Sequence, residues 1–275
     1  MLLRRTILQM KTPLIARRAC AAVVGLTLVS SEAVAQSPRQ LNDDARYEQP
    51  GLLTGTIYEA RSGTNKVLFT SKRTATRSNS TVFVTCDYFY ANGAVAAREQ
   101  IVFERGQLVW FQLDEKQTGA RGSATIARDG KNAGKQKILF DWATTESGMT
   151  TLKTDSEAFQ SETLVGDMIP YFIATHWNEL ARGEQLSFRF IVSDRLETVG
   201  FKLTKESDVT WRGNAALRLR MEPSSVVIRR LVDPLFFIVE KATAHRIFEY
   251  VGRVTPMMRE GSKWKDLDAR TVYDW

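Results

Sequence analysis

From Gly51 to the last residue, apolar and polar side chains alternate in short runs cut by turn residues. A period of two puts successive side chains on opposite faces of a strand, so each run can bury only one face. The runs fall at 52–60, 66–76, 81–90, 95–103 and 107–113, and less distinctly at 123–128 and 138–142. Further runs cover 186–193, 196–205, 217–221, 226–231, 235–240 and 247–251, and 270–275 reads as a terminal strand. Asn92-Gly93 between two apolar runs is a strong hairpin signal, and Asp233-Pro234 marks another turn. Strands that follow one another through tight turns form an antiparallel sheet, and so many of them must curve into a barrel, half-barrel or sandwich. No repeat of fixed period is evident, so solenoids and propellers are poor fits.

The period changes once. Ile169, Phe172, Ile173, His176, Trp177 and Leu180 are spaced to line one face of a helix. Pro170 fits only a first turn, Asp167 is placed to cap it, and Gly183 suits the exit. The expected fold is therefore mainly β: a curved antiparallel sheet, half-barrel or barrel, with one amphipathic helix over residues 167–181 packed over it.

Residues 1–35 belong to a different kind of segment. Arg4, Arg5, Lys11, Arg17 and Arg18 precede an apolar run from Ala19 to Val29 that closes on Ala33-Val34-Ala35. A basic head, a short apolar middle and a small-x-small exit are the parts of a secretory signal peptide. The apolar run is about half the length of a membrane span, so cleavage after Ala35 is the expectation, with no transmembrane segment afterwards. Met10-Lys11 would begin a more conventional signal, which leaves Met1 and Met10 as alternative starts. Residues 36–50 are polar and aperiodic and read as a flexible leader, followed by a single β-rich domain over 51–275. The implied location is the periplasm or the medium.

Removing residues 1–35 reduces 38 basic and 31 acidic residues to 33 and 30. A net charge of +3 no longer points to nucleic acid as a partner. Cys20 leaves with the signal, so Cys86 remains alone and the mature chain cannot form an internal disulfide. Its alternating surroundings make Cys86 a small buried hydrophobe before a reactive thiol.

No catalytic or cofactor signature is present, whether His-Glu-x-x-His, Gly-x-Ser-x-Gly or a Walker loop. Two histidines and one thiol do not form a metal set at any recognisable spacing. Asp43-Asp44, Asp114-Glu115 and Asp266 with Asp268 read as solvated surface, the last pair in a polar tail. Arg218 and Arg220 share one strand face, with Arg229 and Arg230 on the next run. That arrangement allows an anion site, but a solvated outer face interleaved with acids such as Glu222 explains it better.

One stretch carries a resemblance. His176-Trp177-Asn178-Glu179-Leu180, Gly183-Glu184, Phe188, Arg195, Thr198 and Phe201-Lys202-Leu203 resemble a group of uncharacterised secreted proteins of Gram-negative bacteria. The similarity continues through Met221-Glu222-Pro223-Ser224-Ser225, Leu231-Val232-Asp233-Pro234-Leu235 and Tyr250-Val251-Gly252. It implies an exported protein and carries no activity with it. At the level of the fold, the chain looks like periplasmic lipoprotein carriers, whose half-barrel surrounds an apolar cavity.

These readings converge on an envelope protein that binds an apolar or amphiphilic ligand, or an envelope protein partner, in a concavity closed by the helix. Phe172, His176, Trp177, Phe188 and Phe190 would form the wall, with Arg218 or Arg220 orienting a headgroup at the mouth. No catalytic residue, metal or cofactor is assigned. A hydrolase using His176 with a carboxylate is one alternative. A structural or assembly factor acting through a sheet edge is another.

Overall fold

A computed structural model describes residues 53–274, apart from 61–65, 106, 131–133, 147, 231 and 243–244. The segments read as signal peptide and leader, and the start of the first run, lie outside the described residues.

Among the described residues, fifteen strands form one sheet. The first eight are β1 (Thr54–Glu59), β2 (Val67–Ser78), β3 (Thr81–Phe89), β4 (Val95–Glu104), β5 (Gln107–Glu115), β6 (Ala120–Arg128), β7 (Gln136–Glu146) and β8 (Met149–Ala158). The rest are β9 (Thr163–Leu164), β10 (Leu186–Val192), β11 (Glu197–Trp211), β12 (Asn214–Pro223), β13 (Leu235–Glu240), β14 (Ile247–Glu260) and β15 (Lys263–Asp274). From β8 the order runs back to β1, crosses to β15, and runs down to β9. Every pairing is antiparallel except the short parallel one of β9 with β10. The chain thus forms two meanders joined where its first strand pairs with its last. The expected curved antiparallel sheet is what the chain forms.

The sheet does not close by a backbone ladder, because β8 and β9 are its two edges. Its ends overlap instead. Glu157 of β8, which shares a face with buried Ile138, accepts hydrogen bonds from the Thr198 backbone N–H (3.2 Å) and hydroxyl. Thr198 sits opposite Ile191 on the face of β10 and β11 that points away from Phe188 and Phe201. At Gly122 a Cβ would lie 2.3 Å from the Trp142 ring and 3.0 Å from Ser193 Cβ, so this crossing needs glycine. The concave face of β6–β8 therefore lies on the convex face of the β10–β11 hairpin.

Among the described residues there are three short α-helices: α1 (Ile169–Thr175), α2 (Trp177–Ala181) and α3 (Val226–Arg229). The single helix expected over 167–181 is thus a 3₁₀ turn at Gly166–Met168 followed by α1 and α2, which break at His176 (φ −104°, ψ 24°). Asp167 does not cap it; its carboxylate is taken by Arg73 instead. Gly183 does serve as the exit, at φ 86° with its N–H on the Leu180 carbonyl. Residues 226–229, expected as strand, are helical. Strand β12 ends at Pro223, and the Ser225 hydroxyl accepts from the Ile228 N–H as an N-cap. Strand β8, which alternation did not reveal, is exposed along nearly its whole length. Asp266 and Asp268 lie not in a polar tail but on β15, in its long hairpin with β14, and both pair with Arg253.

The helical segment lies on the concave side. Ile169, Phe172, Ile173 and Leu180 are buried in one cluster with Val84, Phe103, Phe140, Phe188, Leu203 and Leu219, which come from both meanders. A smaller apolar cluster of Ile57, Phe69, Ala96, Leu267 and Ala269 forms apart from it, where the first and last strands pair. Among the described residues no helix is long and apolar enough to cross a membrane.

Candidate functional site

Between the two apolar clusters the concave face carries polar side chains in phase with apolar ones. On β2 the inward set is Phe69, Ser71, Arg73 and Ala75; on β3 it is Val82, Val84, Cys86 and Tyr88. On β4 it is Ala97, Glu99, Ile101 and Phe103. Register then does the assembly: Arg73 pairs with Cys86, and Cys86 with Glu99, which forms a row across three strands. Thr255 of β14 and Tyr273 of β15 reach the same layer from the other meander. Tyr273 is opposite Gly55, where a Cβ would lie 3.1 Å from the ring, so glycine makes room for the phenol.

Arg73 and Asp167 form a bidentate pair, Nε to Oδ1 at 2.6 Å and Nη2 to Oδ2 at 3.0 Å, with side chains 1% and 2% exposed. This pair ties the helical segment to β2 across 94 residues of sequence. The Cys86 thiol donates to Asp167 Oδ1 at 3.7 Å. Burial, with the Asp167 charge adding to it, raises the thiol well above its ordinary value, so Cys86 remains a neutral donor and a poor nucleophile. Cys86 packs against the main apolar cluster as a small, partly buried side chain, and its hydrogen bond to Asp167 is the feature the sequence did not indicate.

Glu99 is held differently. Its Oε1 accepts from the Thr255 hydroxyl at 2.6 Å and its Oε2 from Tyr88 at 3.5 Å. Among the described residues no cation pairs with it. Burial pushes Glu99 up to about 7, Thr255 opposes that shift, and the Asp167 charge adds to it. Tyr88 and Tyr273 are also raised, chiefly by burial, with Glu99 contributing to both. The Tyr273 hydroxyl has no hydrogen-bond partner among the described residues. Cys86, Tyr88, Glu99 and Tyr273 all keep some accessible surface, although burial dominates the electrostatics of each. The layer can therefore exchange a proton near neutrality at Glu99 and offer hydroxyl and carboxyl groups to a guest.

The residues expected to form a binding wall fall into two places. Phe172 and Phe188 are 6% and 4% exposed, with ring centroids 5.2 Å apart; His176 lies 4.7 Å from Phe172. Phe190 meets Phe201 edge-on at 6.0 Å, and Trp177 stacks on His245 at 4.0 Å. These five share the concave side with the buried layer, but α1 itself covers Phe188. Arg218 and Arg220 are on the convex face, because Leu217, Leu219 and Met221 fill the concave one. They cannot orient a headgroup inside. Arg218 pairs with Glu206 at 2.6 Å and covers the Phe236 ring, while Arg220 pairs with Glu222 at 3.0 Å. Arg229 joins Glu222 from α3, not from a neighbouring strand. The His176 Nδ1 lies 3.8 Å from Glu179 Oε1 on the helix surface. Among the described residues no group of three or more His, Cys, Asp or Glu is arranged to hold a metal ion.

No protein family matches the chain, and no curated protein matches it. Among solved structures, it is similar to a β-barrel-like protein from Brucella abortus, built on a domain of unknown function. The likeness covers 82% of this chain and 99% of that one, at 7% identity and a TM-score of 0.37.

Proposed function

We propose that this is an exported envelope protein that binds an amphiphilic ligand on its concave face. The polar end of the ligand sits in the layer of Glu99, Tyr88, Cys86 and Tyr273. The observation that carries this reading is the Tyr273 hydroxyl: unpartnered, still accessible, and enclosed among two carboxyls and a thiol. An accessible hydroxyl in such a layer offers both a donor and an acceptor that a guest can engage. The apolar part of the ligand lies toward the aromatic set of Phe172, His176, Trp177, Phe188 and Phe190, since Cys86 and Tyr273 pack against the same cluster. Export rests on residues 1–35 and their Ala33-Val34-Ala35 exit.

A second reading, binding of an envelope protein through a sheet edge, is favoured by β8. That strand ends the sheet order, has one side without a ladder, and exposes Met149 (76%) and Leu152 (62%).

Native mass spectrometry on protein purified from the envelope fraction of its host tests both readings. The expected species begins at Gln36 and carries a lipid-sized adduct that is lost on collisional activation. A chain that retains residues 1–35 overturns export. A bare mass overturns the ligand reading, and a protein-sized adduct transfers the function to β8.

A further inference from the structure

The two carboxylates of the concave layer are not equivalent. Asp167 is matched by Arg73 through both oxygens, so that pair is closed electrostatically. Glu99 has two hydroxyl donors and, among the described residues, no cation. The layer therefore holds one carboxylate more than its cations balance, in surroundings where a charge is poorly solvated. Two phenols, Tyr88 and Tyr273, flank that carboxylate from different strands, and both feel its charge. A carboxylate beside accessible aromatic rings is a receptor for an ammonium group, which gains a charge-assisted hydrogen bond and a cation–π contact together. A carboxylate ligand would meet Glu99 and Asp167 with Arg73 already committed to the latter. An alcohol could use the hydroxyls but would leave Glu99 without its counter-charge.

We infer that the ligand held by this layer carries a protonated amine, with Glu99 as its counter-ion and Tyr273 and Tyr88 beside it. This rests on the concave-face ligand reading and adds the chemical class of the polar end. Binding should also depend on pH. Glu99 is faced by Cys86 and Tyr88 of β3, Arg73 of β2, Asp167 of the 3₁₀ turn and Tyr273 of β15. Glu115 of β5 lies further along the same face, accepting from Thr118. Of these, Glu99 is the group brought to about 7, so its counter-ion role is present above neutrality and lost below it.

Isothermal titration calorimetry with three probes, decylamine, decanol and decanoate, tests the assignment. At about pH 8 decylamine should bind the wild-type protein about ten-fold more tightly than decanol, and decanoate more weakly than either. That preference should disappear at about pH 5.5, where Glu99 is protonated, and in Glu99→Gln at both pH values. Tyr273→Phe leaves the charge in place and should lose about three-fold in decylamine affinity. The pH comparison on wild-type protein needs no variant, so a Glu99→Gln protein that fails to fold does not block the test. Decanol or decanoate binding as well as decylamine at pH 8 overturns the ammonium class and leaves the ligand reading intact. No binding by any of the three overturns the ligand reading itself.

Discussion

Arg73 on β2 and Arg220 on β12 each place a guanidinium Nη2 3.0 Å from a carboxylate oxygen, one inside the curve of the sheet and one outside. Inside, the side chains of the pair are 1% and 2% exposed; outside, they are 42% and 18%. Equal distances therefore describe different interactions. Water screens the outer pair and replaces either partner cheaply. The inner pair has exchanged its hydration for its partner, so removing one half leaves the other charged in a poorly solvating layer. The inner pair also joins β2 to the helical segment, whereas Arg220 and Glu222 are two residues apart on one strand.

Removing Arg73 should produce the largest effect. Arg73→Ala strands the Asp167 carboxylate and should cost about 3–5 kcal/mol in denaturant unfolding. Restoring most of that loss with Arg73→Met combined with Asp167→Leu would show that the penalty comes from the orphaned charge. A double variant as unstable as the single would instead assign the pair a positive contribution of its own.

Glu99→Gln probes the unpaired carboxylate of the same layer. The folded value is about 7, above the ordinary 4.5, so the folded state keeps a proton that the unfolded chain has already released. Stability therefore falls as pH rises from about 4.5 to about 7, and stays lower above that. Glutamine does not titrate. The difference between variant and wild type should move in the variant's favour by on the order of 1–3 kcal/mol across that window, the lower figure allowing for the surface Glu99 keeps. Unfolding curves at the two ends of the window check this, and a constant difference would show that Glu99 is not a buried titrating group.

Arg220→Ala should be the smallest, within about 0–1 kcal/mol and weaker still in high salt. A loss comparable to that of Arg73→Ala would remove the distinction between the two faces.

Much of the sheet was legible because alternation is local. Runs such as 81–90 and 95–103 hold their buried faces in every other residue, and Asn92-Gly93 marks the turn between them, with Gly93 at φ 83°. Strand β8 was not legible, since an edge strand exposed on both faces has no apolar phase to read. The polar layer left a fainter signal. Arg73 is in phase with Phe69 and Ala75, Cys86 with Val82 and Val84, and Glu99 with Ile101 and Phe103. A charge in phase with the core is an inward-facing charge, and that parity could have identified the layer. Arg218 and Arg220, out of phase with Leu217, Leu219 and Met221, could have been assigned outward by the same argument.

The sequence by itself determined the mainly antiparallel architecture, the helical segment that follows β9, and the inward or outward sense of most strand residues. All of these follow from spacing within a few residues. Only the tertiary structure decided that Asp167 abandons its helix cap for Arg73, that Glu99 meets Thr255 from the opposite meander, and that the sheet ends overlap at Glu157. Those contacts join residues 94, 156 and 41 positions apart, and no local period encodes which distant strands a curved sheet will bring face to face.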